Sequence, residues 1–115
     1  MRLAEQKTVP VSRDAHALSR METADLIREI PQWSLSDRAI EREFRFKDFR
    51  LAMDFVNRIA ALAIEQDHHP DIFIAYNKVR VTLSTHKVGG LTLNDFIVAA
   101  KISLLADQLP IEKVA

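Results

Sequence analysis

An apolar stripe of helical period runs from residue 48 to about residue 66 and constrains the fold more than any other feature of the sequence. Its members recur at the three-and-four spacing of one helical face: Phe49, Ala52, Met53, Val56, Ile59, Ala60 and Ala63. Phe55 and Leu62 widen this stripe. A helix with so wide an apolar face needs other elements to cover it. We therefore predict a heavily buried helix that ends at Asp67–His68–His69–Pro70.

Segments with a period of two flank this helix on both sides. Residues 33–35 and 40–46 predict one hairpin around a turn at 36–38, with Ile40, Arg42, Phe44 and Phe46 on a common face. Residues 72–76 and 79–83 predict a second hairpin. Asn77-Lys78 is the predicted two-residue turn of that hairpin.

A helix is predicted at each end of this pattern. The first begins at a capping-box pattern at 19–22 and stops at Pro31. The last begins at Thr92, with Asp95 at the fourth position, and ends at Pro110. Its predicted apolar face comprises Phe96, Ile97, Ala100, Leu104 and Leu105, together with Ile102, which lies off the stripe. The order α-β-β-α-β-β-α predicts an α+β fold, a four-stranded antiparallel sheet with helices packed on one face.

Length and charge narrow the class of protein. The chain of 115 residues suits a flexible N-terminal lead-in at 1–17 and a single domain at 18–115. Lys plus Arg and Asp plus Glu both number 16, so no net positive charge favours nucleic acid or an anionic membrane. No apolar run approaches the ~20 residues of a membrane span, and no signal-peptide pattern is evident. We expect a cytoplasmic protein with a small-molecule or protein partner.

Three of the four histidines flank the second hairpin. His68 and His69 precede it and His86 follows it, so the returning chain is expected to bring them together. Pro70 restricts the backbone of His69 and itself. Histidine accepts and donates protons near neutral pH, and Asp67 or Asp95 is within reach to orient an imidazole. With no cysteine and no serine-nucleophile motif, the pattern favours proton transfer without a covalent intermediate.

Other interpretations of the histidines stay open at this point. A His-His pair before proline is, taken alone, more often a surface turn than an active site. Three imidazoles could also bind zinc, although no further ligand spacing supports a known zinc pattern. His16 lies in the lead-in and is interpreted as a solvated side chain.

Several short motifs resemble those of the pterin-4a-carbinolamine dehydratases. They are Asp-His-His-Pro at 67–70, Tyr-Asn-Lys-Val at 76–79, Leu-Ser-Thr-His at 83–86, Gly90-Leu91 and Asp95. Trp33 and Phe-Arg-Phe-Lys-Asp-Phe at 44–49 are similar to that family too. The resemblance covers roughly residues 26–102, and the spacing from the His-His-Pro motif through Tyr76 and His86 to Asp95 is specific to the family.

This resemblance implies a reaction, the dehydration of 4a-hydroxytetrahydropterin to quinonoid dihydropterin after an aromatic amino acid hydroxylase has acted. It implies that His68, His69 and His86 act as acid and base, with His69 the most important, and that Asp95 supports them. It also implies substrate binding by Asp67, Pro70, Ser84, Thr85, Lys87 and Val88. No metal or organic cofactor is expected, and self-association as a homodimer or homotetramer is.

One departure from the family pattern keeps a second function class open. Four positions before His68 the family usually has a charged or polar residue, often glutamate, where this chain has Ile64. Ile72 also replaces an aromatic residue that is often found after Pro-Glu in the family. Relatives of the family serve as non-catalytic modules, as a dimerisation cofactor for a homeodomain transcription factor or as assembly factors. Such relatives usually lose the histidines, which this chain keeps.

Overall fold

A computed structural model of the chain describes residues 2–109. Its helices are α1 (Arg20–Ile27), α2 (Phe49–Gln66) and α3 (Leu93–Asp107). Its strands are β1 (Ser34–Leu35), β2 (Ile40–Arg45), β3 (Asp71–Ala75) and β4 (Lys78–Leu83). Short 3-10 turns lie at Leu3–Glu5 and His86–Val88. The predicted order α-β-β-α-β-β-α and the α+β class are confirmed.

The four strands form one antiparallel sheet in the order β1-β2-β4-β3. β4 is an inner strand, and its Val79, Val81 and Leu83 are fully buried beneath the helices. β3 is an edge strand whose outer neighbour position is unfilled within the monomer. The sheet therefore has a well-covered centre and an open edge at β3.

The stripe of α2 packs against β2 through aromatic side chains. The Phe55 ring lies 4.7 Å from Phe44 and 5.1 Å from Phe46, between ring centroids. The Asp48 side chain accepts a hydrogen bond from the Leu51 N–H at 2.9 Å, which caps the helix where the sequence predicted its start. The buried residues of α2 are Ala52, Phe55, Ile59 and Ala63. Two residues that were predicted on the stripe are exposed. Phe49 is 51% exposed because it is the first helical residue, at one end of the stripe, and Ala60 is exposed within the helix.

Arg42 lies on the inner face of β2, as predicted, and is only half-buried. Its Nη1 donates to the Ser103 hydroxyl at 3.0 Å, and its guanidinium lies 4.3 Å from the centroid of the Phe44 ring. Burial lowers the pKa of Arg42 from its usual value, an effect that the Asp107 charge opposes. This polar residue therefore joins β2 to α3 at the rim of the core.

The turn between β3 and β4 differs from the prediction by one residue. Ala75 pairs with Lys78, so the two turn residues are Tyr76 and Asn77 rather than Asn77 and Lys78. Tyr76 adopts a φ of 53°, in the left-handed region. Lys78 is drawn into β4 because it also pairs with Arg45 of β2.

The two terminal helices confirm their predicted starts and correct one predicted face. Ser19 and Glu22 form a capping box at α1, and hydrogen bonds from Ser19 lower the pKa of the Glu22 carboxyl. In α3, Leu104 is 51% exposed although it was predicted on the apolar face, whereas Ile102 is fully buried. Because α3 contacts both α2 and the Leu3–Glu5 turn, its buried surface does not follow one stripe. This surface includes Ile102 and leaves Leu104 out. Pro110 lies outside the described residues.

The segment before α1 makes specific contacts with the rest of the chain. Leu3 is 4% exposed and belongs to the hydrophobic core. Lys101 Nζ donates to the Ala4 carbonyl at 2.8 Å, and the Leu18 N–H donates to the Leu91 carbonyl at 2.8 Å. The structure thus describes an N-terminal segment that packs against the rest of the domain. The flexibility predicted for residues 1–17 stays a prediction.

Candidate active site

His68 is held by a buried carboxylate. Its Nε2 lies 2.6 Å from Asp95 Oδ1, and its side chain is only 10% exposed. Asp67 ends α2 in the left-handed conformation, with φ 51° and ψ 43°, and the next N–H, of His68, returns to the Ala63 carbonyl at 3.1 Å. This reversal at the end of α2 directs the chain toward β3 and places the imidazole beside α3.

Asp95 has a hydrogen-bond partner on each carboxylate oxygen. Besides His68 on Oδ1, its Oδ2 accepts from the Thr85 hydroxyl at 2.7 Å and from the Thr92 N–H at 2.9 Å. Its side chain is 0% exposed. Because Asp95 lies in the first turn of α3, the positive end of the helix dipole also favours its negative charge. The carboxylate is therefore buried but well compensated.

The two ends of the β3–β4 hairpin meet at this carboxylate. Asp71 pairs with Thr82, and the same register carried outward sets His69 opposite Ser84 and His68 opposite Thr85. His68 and Thr85 both bind Asp95. The chain then forms the His86–Val88 turn, which closes through hydrogen bonds between Thr85 and Gly90.

The remaining predicted site residues differ in their accessibility. His69 and His86 are exposed, as are Asp67 and Lys87. Half-buried positions are Pro70, Ser84 and Val88. His68 and Thr85 are thus anchored inside the protein, whereas His69 and His86 are open to a ligand from solvent.

A cleft of about 610 Å³ lies beside His68. Of the predicted site residues, Asp67, His68 and Lys87 line it. The rest of the lining comes from Glu65, Gln66, Asn94 and residues 7–11. A volume of this size is typical of a small-molecule site.

Asn94 and residues 7–11 are parts of this cleft that sequence reasoning missed. The sequence predicted Asn94 only as a residue in the first turn of α3, between Thr92 and Asp95, and gave it no role in the site. Its amide binds the backbone of Val9, 85 residues away in sequence. Nothing in the local pattern around Asn94 indicates so distant a partner.

The three histidines do not form a metal-binding group in the part of the chain between residues 2 and 109. No set of three or more histidine, aspartate or glutamate side chains in that range is arranged to hold a metal ion. The structure therefore offers no ligand set for the zinc interpretation.

Within the same range, no helix is both long enough and apolar enough to cross a lipid bilayer.

The chain is similar to the members of one protein family over most of its length. The model of the pterin 4 alpha carbinolamine dehydratase family matches residues 16–105. A protein of Stenotrophomonas maltophilia strain K279a, provisionally named a pterin-4-alpha-carbinolamine dehydratase, is 47% identical over 110 residues, which are 94% of this chain and 95% of that protein. A protein of Rubrobacter xylanophilus with the same provisional name is 44% identical over 104 residues, 90% of this chain and 97% of that protein.

Two solved structures share the fold. A crystal structure from Brucella melitensis, described as a transcriptional coactivator/pterin dehydratase, aligns with a TM-score of 0.76 and 39% identity, over 79% of this chain and 99% of that one. A pterin dehydratase-like protein described as a RuBisCO assembly factor of the alpha-carboxysome aligns with a TM-score of 0.55 and 17% identity, over 84% of this chain and 96% of that one. That second likeness concerns the fold alone. The chain belongs to the pterin 4 alpha carbinolamine dehydratase family.

Proposed function

We propose that the protein dehydrates a 4a-hydroxytetrahydropterin to the quinonoid dihydropterin and so recycles pterin for aromatic amino acid hydroxylation. The observation that carries the proposal is the His68–Asp95 pair, with a 2.6 Å contact at the junction of the hairpin ends and beside the 610 Å³ cleft. Membership of the family supports the same substrate class. The link to a hydroxylase and the cytoplasmic location expected from the sequence are parts of this proposal.

The reaction needs one proton removed and one supplied. A base takes the proton from N5 of the pterin, and the freed electron pair forms the C4a=N5 double bond. The C4a–O bond breaks as an acid protonates the departing hydroxyl, which leaves as water. Imidazoles can serve in both roles near neutral pH. The chemistry requires neither a metal nor an organic cofactor.

The geometry supports different roles for the three histidines. Nε2 of His68 is engaged by Asp95, and since an ionised carboxylate only accepts hydrogen bonds, that nitrogen carries the proton. Only Nδ1 of His68 then remains for another partner. His69 and His86 are exposed and free to meet a ligand from solvent. We assign proton transfer to this trio, with His69 making the largest contribution.

The other predicted site residues lie before β3 or after β4, in the same two segments as these imidazoles. Asp67 and Lys87 line the cleft beside His68, and Thr85 is fixed by its bond to Asp95. Pro70, Ser84 and Val88 lie on the same two ends of the hairpin, before β3 and after β4. We assign these six residues to binding the pterin.

Dehydration of chemically generated carbinolamine tests the proposal. The wild type is expected to exceed the uncatalysed rate, and His69→Ala to lose roughly 10²–10⁴-fold in kcat, because one acid–base group typically contributes that much. His16→Ala is the matched control, an exposed histidine in the segment before α1, and should retain full activity. A wild type no faster than His69→Ala would refute the enzyme assignment. Stoichiometric zinc in the active protein would refute the metal-free mechanism.

A protein-binding role is the second candidate, and the open edge of the sheet favours it. On β3, Ile74 is 37% exposed on the face that the helices cover, and Phe73 is 50% exposed on the opposite face, where the Arg80 guanidinium lies 4.6 Å from its ring centroid. The Brucella structure is described as a coactivator as well as a dehydratase. Loss of a partner's binding on substitution of β3, with no dehydration by the wild type, would favour this candidate over the enzyme.

A further inference from the structure

Thr8 and Val9 form an N-terminal clamp between the last residue of α2 and the start of α3. The Thr8 N–H donates to Gln66 Oε1 at 3.1 Å, and the Thr8 hydroxyl donates to the Gln66 carbonyl at 2.5 Å. The Val9 N–H donates to Asn94 Oδ1 at 3.0 Å, and Asn94 Nδ2 donates to the Val9 carbonyl at 2.6 Å. Two consecutive residues therefore connect the ends of two helices.

The anchors of the clamp stand next to the two residues of the His68–Asp95 pair. Gln66 lies two positions before His68, and Asn94 lies directly before Asp95. The clamp and the contact between His68 Nε2 and Asp95 Oδ1 thus connect the same two segments of the chain. A shift of the end of α2 relative to the start of α3 would act on both connections.

The contact between His68 and Asp95 is sensitive to such a shift. It measures 2.6 Å between Nε2 and Oδ1. A displacement of about 1 Å along this direction would lengthen it to about 3.6 Å, a distance at which no hydrogen bond remains. Groups that transfer protons need their positions held to within about 0.5 Å. A support for this pair therefore affects the chemistry of the imidazole.

Burial commits Asn94 to the clamp. The residue is only 5% exposed, and both polar groups of its amide bind the backbone of Val9. A buried amide without these partners would lower the stability of the fold, so we expect the clamp and the start of α3 to form together. The family model begins to match at residue 16, so Thr8 and Val9 lie outside the part of the chain that it describes.

We infer that Gln66 and Asn94 are positioning residues which, through the clamp, hold His68 against Asp95 and so keep the proton of this imidazole on Nε2. The inference rests on the proposed function, since it takes His68 to serve in proton transfer. The two residues act through the imidazole and not on the substrate. Loss of the clamp is therefore expected to lower kcat, with little effect on KM.

Two variants weaken the clamp, one at each of its residues. Thr8→Val removes the hydroxyl that binds the Gln66 carbonyl and keeps the shape of the side chain. Thr8→Ser keeps that hydroxyl and is the matched control. Asn94→Ala removes both hydrogen bonds to Val9.

Lys101→Met is the control for an effect on stability alone. Lys101 Nζ donates to the Ala4 carbonyl at 2.8 Å, so this side chain also ties the N-terminal segment to α3. It lies six residues after Asp95, about 9 Å further along the helix. We expect Lys101→Met to lower the midpoint of urea denaturation, as Asn94→Ala does, and to leave the site unchanged.

Two measurements separate positioning from stability. Long-range proton–nitrogen NMR spectra show which ring nitrogen of His68 carries the proton and how fast that proton exchanges with water, with the signal assigned by its loss in His68→Gln. Steady-state rates with chemically generated carbinolamine give kcat and KM.

In the wild type, Thr8→Ser and Lys101→Met, the Nε2 proton of His68 is expected to exchange slowly and kcat to be equal. In Thr8→Val and Asn94→Ala we expect exchange to be about 5- to 10-fold faster and kcat about 5- to 10-fold lower, the worth of roughly one hydrogen bond. KM should stay within about twofold of the wild-type value.

Wild-type proton exchange in both Thr8→Val and Asn94→Ala would overturn the inference. An equal loss of kcat in Lys101→Met would do so too, because stability alone would then explain the effect. A raised KM with an unchanged kcat would make the clamp a wall of the substrate cleft instead of a support for His68. If the exchange rates follow the expected pattern but the wild type does not dehydrate the carbinolamine, the proposed reaction is refuted and the positioning of His68 stands.

Discussion

At the scale of single residues, Asp95 connects the stability of the site to its chemistry. Its carboxylate accepts hydrogen bonds from His68, Thr85 and Thr92 at 2.6–2.9 Å and is fully buried. Asp95→Asn places an amide N–H where one of these donors points. We expect kcat to fall about 10- to 100-fold, the usual range when an orienting partner of a functional imidazole is lost.

The same substitution is expected to lower the free energy of unfolding by about 1–3 kcal/mol, because a buried donor loses its acceptor. Chemical denaturation measures this change alongside the kinetics. Thr85→Val, which removes one bond to Asp95 without touching the His68 contact, serves for comparison of stability. If Asp95→Asn loses stability but keeps the wild-type kcat, Asp95 has only a structural role.

Ile64 occupies a position where the family resemblance predicts a charged or polar residue. It is 73% exposed on the last turn of α2, one turn before His68. Ile64→Glu adds a carboxylate near the imidazoles at little packing cost, although a negative charge near a helix C-terminus costs about 0.3–1 kcal/mol. We expect kcat/KM to rise, by up to about 10-fold. Glu65, on the neighbouring face of α2, serves for comparison. If Ile64→Glu leaves the rate unchanged and Glu65→Gln lowers it, Glu65 has the orienting role.

At the scale of elements, the turn of the β3–β4 hairpin is a point of local strain. Tyr76 has a φ of 53°, where a side chain with a Cβ costs roughly 1–2 kcal/mol, and it is 66% exposed. Tyr76→Gly is expected to raise the free energy of unfolding by up to about 1 kcal/mol. Tyr76→Ala keeps the Cβ and should bring no such gain. Equal stability of the two variants in urea titrations would show that the turn is not strained.

Prediction of the elements from sequence succeeded where the signal was local. The start of α2 at residue 48, the capping box at Ser19 and the alternation of β2 all depend on neighbours in sequence, and each is confirmed. The contacts of residues 7–11 could not be found in this way, since Thr8 and Val9 have partners that lie 58 and 85 residues away. Likewise, the exposure of Leu104 depends on which elements surround α3.

The site shows the same division between local and distant information. That His68 approaches the far end of its hairpin could be expected, because a hairpin returns the chain to its start. The choice of Asp95 rather than Asp67 as the partner of His68 depended on how α3 packs against the hairpin. Asp67 instead ends α2 and is exposed.

At the scale of the whole molecule, the open edge of β3 predicts self-association. Ile74 lies on the same sheet face as Ile72 and Val79, the face that the helices cover, yet it remains 37% exposed. An unpaired strand edge also presents free backbone donors and acceptors. We expect the wild type to sediment as a dimer or tetramer and Ile74→Lys to shift toward the monomer. Met21→Lys, at an 80% exposed position on α1, is the control and should not dissociate it.

A wild type that sediments as a monomer at tens of micromolar protein, or an oligomer that Ile74→Lys leaves intact, would contradict this role of β3. The first result would mean that the edge stays open in solution. The second would place the interface on another surface.

The most direct test of the proposed reaction is the rate at which the protein dehydrates chemically generated 4a-hydroxytetrahydropterin, compared with that of the double variant His69→Ala/His86→Ala. His69 precedes the hairpin and His86 follows it, and both side chains are exposed. We expect a wild-type rate above background and a loss of at least about 10²-fold in the double variant. Equal rates for the two proteins would contradict the proposed dehydration.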